Sequence, residues 1–171
     1  MLCQNKNRRL GMLDDLTNLQ ALLKDSTLLA TKGYIAGEWC DGENGQTFPV
    51  YNPARGDVIT DVADISRTQT AEAISIAEKA QKLWAARPAK ERSNLLRNWF
   101  NLMMENQEDL ATILTAEQGK PIEEAKGEIA YGASFIEFFA EEAKRVYGET
   151  IPGHQSDKRI TVLKQPVGVA A

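Results

Sequence analysis

Across residues 66–147 the apolar side chains recur at helical spacing for about eighty positions, and short extended pieces flank that block on both sides. Such a block must fold as several helices packed through their apolar stripes. Ser66 with Gln69 has the spacing of a capping box and starts the first helix. Its stripe is Ala73, Ile74, Ala77, Ala80 and Trp84. Pro88 stands at the expected first helical position of the second, whose stripe is Leu95, Leu96, Trp99, Phe100 and Met103. A shorter helix carries Leu110, Ile113 and Leu114 and stops at Gly119. Pro121 opens the fourth, with Ile122, Ala125, Ile129, Gly132, Ile136, Phe139, Ala143 and Val146 on one face. Gly148 is expected as its left-handed cap. The aromatic residues Trp84, Trp99, Phe100, Phe135, Phe138 and Phe139 are expected in the core.

The flanks read differently. Leu16, Leu19, Leu22 and Leu23 predict one amphipathic helix over residues 13–29. Residues 34–39 predict a short strand, residues 47–51 a second and residues 58–63 a third, separated by the turn signals Asp41-Gly42-Glu43-Asn44-Gly45, Asn52-Pro53 and Arg55-Gly56-Asp57. After Ile151-Pro152-Gly153 the period becomes two, so residues 159–164 read as a strand. Residues 167–171, Val-Gly-Val-Ala-Ala, begin a continuously apolar run of the kind buried on both faces of a parallel sheet. The fold class expected for these residues is α+β, within a larger α/β protein. A length of 171 residues suits about one domain. The apolar run at its end predicts that this core is shared with residues beyond it.

Chemistry is sparse. Twenty basic against 24 acidic side chains give a net charge of −4, which argues against a nucleic-acid binder. Cys3 and Cys40 make no disulfide framework and no metal motif, and a reducing, cytoplasmic setting follows as the default. Residues 1–11 are polar and basic without the apolar region of a signal peptide. The single histidine, His154, adjoins a Pro-Gly turn and has no partner for a triad. No glycine-rich phosphate loop is present. The acidic sets Glu123, Glu124, Glu128 and Glu141, Glu142, each with nearby basic residues, read as solvated helix faces. Glu117, before the Gly119 break, is the candidate oxygen ligand for a hard cation, and ordinary helix punctuation is its plainer reading.

Four motifs in order carry a resemblance. Tyr34-Ile35-Ala36-Gly37-Glu38-Trp39, Tyr51-Asn52-Pro53-Ala54-Arg55-Gly56, Glu117-Gln118-Gly119-Lys120-Pro121 and Lys164-Gln165-Pro166-Val167-Gly168-Val169 together resemble the aldehyde dehydrogenase superfamily. Residues 96–104 and 148–154 look most like its bacterial succinate-semialdehyde branch. That resemblance implies an oxidoreductase that uses NAD or NADP to convert an aldehyde to an acid. A cysteine thiolate attacks the carbonyl, hydride leaves to the nicotinamide, and a glutamate activates water. The family's nucleophile, base and oxyanion asparagine correspond to positions after residue 171, so no catalytic or cofactor-binding residue is carried onto this chain.

The resemblance also implies an organisation. Residues 1–31 form a tail and helix. Residues 32–147 are the N-terminal part of a Rossmann-like cofactor domain, residues 148–166 an oligomerisation hairpin, and residues 167–171 the start of the first cofactor-domain strand. It implies a homo-oligomer, dimer or tetramer, and a structural monovalent cation at Glu117 with the backbone near Val50 and Tyr51. The expected fragment is inactive alone. The alternative is a stand-alone helical interaction module whose hairpin adds to a partner's sheet.

Overall fold

The computed structural model describes residues 18–170. The first helix, α1 (Leu19–Leu22), is one turn capped by Asn18, whose side chain accepts from the Ala21 N–H. Leu23 then becomes extended, and a 3-10 turn follows at Ser26–Leu28. The single helix expected over residues 13–29 is therefore not formed in its described part, and residues 13–17 lie outside the described residues. The cause is local: the Asp25 carboxylate accepts from the Thr27 N–H at 3.0 Å and the Thr27 hydroxyl at 2.6 Å, a pattern that competes with helix.

The strand expected over residues 34–39 is instead a hairpin. β1 (Gly33–Ile35) pairs antiparallel with β2 (Glu38–Cys40), Tyr34 opposite Trp39. Ala36 (φ 57°) and Gly37 (φ 88°) form the two-residue turn, both left-handed, as the twist of tight hairpins demands. The rings of Tyr34 and Trp39 lie 5.0 Å apart across the pair.

β3 (Thr47–Tyr51) and β4 (Val58–Ala63) form the expected second pair, with a register irregularity between Val50 and Tyr51. Their connection is built on Asn52, only 2% exposed. Its side chain accepts from the Ala54 N–H at 2.9 Å, its carbonyl from the Gly56 N–H at 2.7 Å, and its own N–H donates to the Asp57 carbonyl at 2.8 Å.

The helical block resolves into α2 (Arg67–Ala86), α3 (Ala89–Glu105), α4 (Gln107–Gln118) and α5 (Ile122–Glu142). Both halves of the Ser66–Gln69 capping box form. Pro88 and Pro121 sit one position earlier than expected, as N-caps. Their carbonyls accept the first helical bonds, from Glu91 and Arg92 and from Ala125. Gly119 is the left-handed cap of α4, at φ 77°. Gly148 is not a left-handed cap, since α5 already ends at Glu142 with Ala143 still right-handed. A side chain at Gly148 would instead meet the Val162 carbonyl oxygen at 2.3 Å, so glycine there permits close backbone approach.

The helix contacts are made by small residues. Ala111, Ala125, Ala133 and Ala140 are fully buried where α3, α4 and α5 pack together, and Ala116 is buried beneath Leu19 and Leu23. The aromatic core expected from the sequence is not formed among the described residues. Trp84, Trp99, Phe135, Phe138 and Phe139 lie on exposed helix faces, and Phe100 is half-buried beneath the Arg97 guanidinium. Helical period marks which residues share a face, but not whether a partner covers it.

β5 (Glu149–Pro152) and β6 (Arg159–Val162) close an exposed antiparallel hairpin. Residues 163–170 form no strand, and Val167 is fully exposed. The strand expected there has no neighbour among the described residues to take its backbone hydrogen bonds. The three sheets among the described residues are two-stranded and antiparallel. None of them is the parallel sheet whose carboxyl ends seat a dinucleotide.

Candidate functional site

Glu117 lies in the last turn of α4 with its side chain exposed. Two residues on, Gly119 turns the chain so tightly that a side chain there would stand 3.1 Å from Cγ of Pro53. This contact sets the end of α4 against the Asn52-Pro53 turn, which directly follows Val50 and Tyr51. Sequence positions some sixty residues apart are thus brought to one place. Among the described residues no group of three or more His, Cys, Asp or Glu side chains could hold a metal ion. A cation here would rest on one carboxylate and on carbonyl oxygens, a donor set suited to hard, weakly bound ions.

The other candidates are dispersed. His154 is exposed in the β5–β6 connection. Cys40 is half-buried at the end of β2, its thiol donating to the Gly33 carbonyl oxygen at 3.4 Å. Cys3 lies outside the described residues.

The acidic sets expected as simple solvated faces also join helices. Arg97 of α3 reaches Glu137 and, at 2.7 Å, Glu141 on α5. Glu141 is also paired with Lys144 at 2.9 Å. Glu137, then Glu141, holds the Arg97 guanidinium above its ordinary range, while Lys144, then Arg97, holds the Glu141 carboxyl below its own. Lys126 of α5 bridges Glu108 of α4 at 2.9 Å and Glu123 at 3.2 Å, which raises the ammonium above its usual value, Glu108 first. Glu142 pairs with Arg145, and Glu128 with Lys120.

One residue, and a further role of another, escaped the sequence reading. Asp109, in the first turn of α4, is a carboxylate only 4% exposed, and its acidic position at a helix start was the available signal. Gln69 does more than complete a capping box. Its Oε1 also accepts from the Glu43 N–H and its Nε2 donates to the Asp41 carbonyl, both at 3.0 Å. It therefore stitches the loop after β2 to the start of α2.

A groove of about 390 Å³ lies between the end of α2, the start of α3 and residues 164–166. Trp84, Arg92, Val146 and Lys164 line it. It is open and shallowly walled by exposed side chains, with no buried polar group aimed into it.

Residues 39–171 match the aldehyde dehydrogenase family. Glutarate-semialdehyde dehydrogenase of Pseudomonas putida is 61% identical over 149 residues, covering 87% of this chain and 31% of that protein. The NADP+ succinate-semialdehyde dehydrogenase of Escherichia coli is 57% identical over 149 residues, with the same coverage. The chain therefore spans about 31% of the length of these relatives. A crystal structure of an E. coli NADP-dependent enzyme superposes with a TM-score of 0.82 at 57% identity, covering 84% of this chain and 30% of that one. Betaine aldehyde dehydrogenase of Staphylococcus aureus, solved with NAD+, gives 0.80 at 28% identity, covering 89% and 30%. The mixed helix and strand architecture is that of the N-terminal part of these enzymes. With the motifs in their expected order and the same backbone arrangement, the chain belongs to the aldehyde dehydrogenase family.

Proposed function

We propose that this chain is the N-terminal portion of an NAD(P)-dependent dehydrogenase that oxidises succinate semialdehyde, or a related aldehyde, to the acid. The identity of 57–61% with two semialdehyde dehydrogenases carries this reading. The described residues do not form a dinucleotide seat, so their part is architectural. The alanine-packed helices α3, α4 and α5 make a scaffold. Its uncovered aromatic faces support a shared core over a stand-alone interaction module.

The proposed division keeps residues 32–147 in the cofactor domain and residues 148–166 as an oligomerisation hairpin of a dimer or tetramer. Half-exposed Ile151, Ile160 and Val162 on that hairpin support it. Glu117, with the carbonyls of Val50 and Tyr51, is the proposed seat of a structural monovalent cation, on the strength of the Gly119–Pro53 contact. Its test is the melting temperature in potassium, sodium and choline chloride: Glu117→Gln should abolish any cation difference. A cytoplasmic setting is proposed from the chain's cysteine usage.

The test of function is a reading frame followed by an assay. The coding sequence after residue 171 is expected to continue into a Pro-Trp-Asn-Phe segment. The full product should reduce NAD+ or NADP+ with succinate semialdehyde or glutarate semialdehyde, followed by absorbance of the reduced nicotinamide. The 171-residue chain should not. Turnover by this chain alone, or a full product inert toward semialdehydes, would refute the proposal.

A further inference from the structure

Residues 18–29 meet the rest of the protein in an unusual way. They contain one turn of helix and one 3-10 turn, joined by the extended Leu23. At that junction the N–H groups of Lys24 and Asp25 have no helical acceptor. Both donate to one side chain: Lys24 N–H to Oδ1 of Asp109 at 3.1 Å, and Asp25 N–H to Oδ2 at 2.8 Å. Among the described residues these two bonds are the hydrogen bonds that tie residues 18–29 to the rest of the chain.

The remaining attachment is apolar. Leu19 and Leu23 are buried against Ala116, with Leu22, Leu29, Ile59 and Ile113 around them. Beyond the segment, the Thr31 carbonyl accepts from the Ala63 N–H at 2.8 Å, which fixes the chain at the end of β4. The segment is thus anchored at its C-terminal end, held by buried Leu19 and Leu23, and pinned at its middle by one buried carboxylate.

We propose that residues 18–29 are a strap that opens as a unit from α4, with Asp109 as its latch. An ionised carboxylate is acceptor-only and presents two oxygens, which matches two adjacent backbone donors. Asp109 is only 4% exposed, while Lys24 and Asp25 lie at the surface, so the latch joins a buried acceptor to two donors at the rim. Opening uncovers Ile113 and Ala116 on α4 and Ile59 on β4, the side of α4 whose end abuts the Asn52-Pro53 turn.

Amide hydrogen exchange on the full-length product tests this directly. In the unmodified chain the Lys24 and Asp25 amides should exchange by a local opening that is insensitive to low denaturant. The central amides of α3 and α5 should exchange through a more costly, denaturant-sensitive opening. Asp109→Asn keeps the shape but turns an amide donor toward one of the two N–H groups. It should speed exchange at Lys24 and Asp25 by about tenfold or more, because a hydrogen bond to a charged group is worth at least that factor. The α3 and α5 amides should keep their rates. Equal protection of strap and helices in the unmodified chain would overturn the latch. So would an Asp109→Asn variant whose strap exchanges as before, or whose α3 and α5 amides accelerate in step with it. Should that variant not fold, the comparison within the unmodified chain decides alone.

Discussion

Gly42→Ala provides a sharp test of how the loop after β2 is held. At φ −59° and ψ 156°, Gly42 has a backbone conformation that alanine adopts freely. By chain entropy alone the substitution would stabilise by about 0.4–1 kcal/mol. Packing says the opposite. A Cβ on Gly42 would lie 2.3 Å from the Gln46 carbonyl oxygen and 2.4 Å from that of Asp64. Ordinary carbon–oxygen contacts lie near ~3.3 Å, so the backbone must give by about 1 Å against two carbonyls at once. The loop cannot move without straining the three bonds that tie it to its surroundings. These are Asp64 N–H to the Gln46 carbonyl at 2.9 Å, Glu43 N–H to Gln69 Oε1 at 3.0 Å, and Gln69 Nε2 to the Asp41 carbonyl at 3.0 Å. At roughly 1 kcal/mol each, their loss costs about 3 kcal/mol, against less than 1 kcal/mol of entropic gain. The net expectation is destabilisation by about 2 kcal/mol. Urea unfolding followed by circular dichroism measures it, with the slope unchanged if the native and unfolded states keep their exposed surface. A variant as stable as the parent, or more stable, would show that this loop yields without cost and would refute the reasoning.

Replacing Gln69 with alanine should cost about 3 kcal/mol in the same assay, because it removes the bonds to Ser66, Glu43 and Asp41 together. Ala133→Leu should destabilise by about 1–3 kcal/mol through overpacking of a fully buried helix contact, read as a lower urea midpoint. Acid titration has a defined sign at Glu141. Its folded carboxyl is depressed by Lys144 and then Arg97, so its stabilising contribution is present above the ordinary value of 4.5 and is lost as pH falls through the lower folded value. Thermal melts of Glu141→Gln should therefore lose part of the parent's decline below that pH, and an unaltered decline would remove this pair from the acid response.

Helix starts and stops were legible in residues 66–119 because they are local chemistry. A serine and a glutamine three apart, a proline before a helical stripe, and a glycine after one act on their own neighbours' backbone groups. The same locality misled at the N-terminal flank. Leucine spacing predicts a helix through residue 29, yet Asp25 and Thr27 bond to each other and Asp109, some 85 positions away, takes the N–H groups at the break. The hairpin at residues 33–40 was hidden because its turn has Ala36 at a left-handed position, where asparagine or aspartate is the usual signal.

What the amino-acid order determined by itself is the helical block after Ser66, the β3–β4 pair and the family motifs, since periodicity and capping need only neighbouring residues. What only the tertiary structure decided is which faces touch. The helices meet through fully buried alanines, while the aromatic residues Trp84, Trp99, Phe135, Phe138 and Phe139 stay exposed. Small side chains let backbones approach closely, while an apolar stripe records only that water is unfavourable beside it. The approach of Gly119 to Pro53, and the bonding of Asp109 to the N-terminal strap, likewise depend on distances through space that no local spacing encodes.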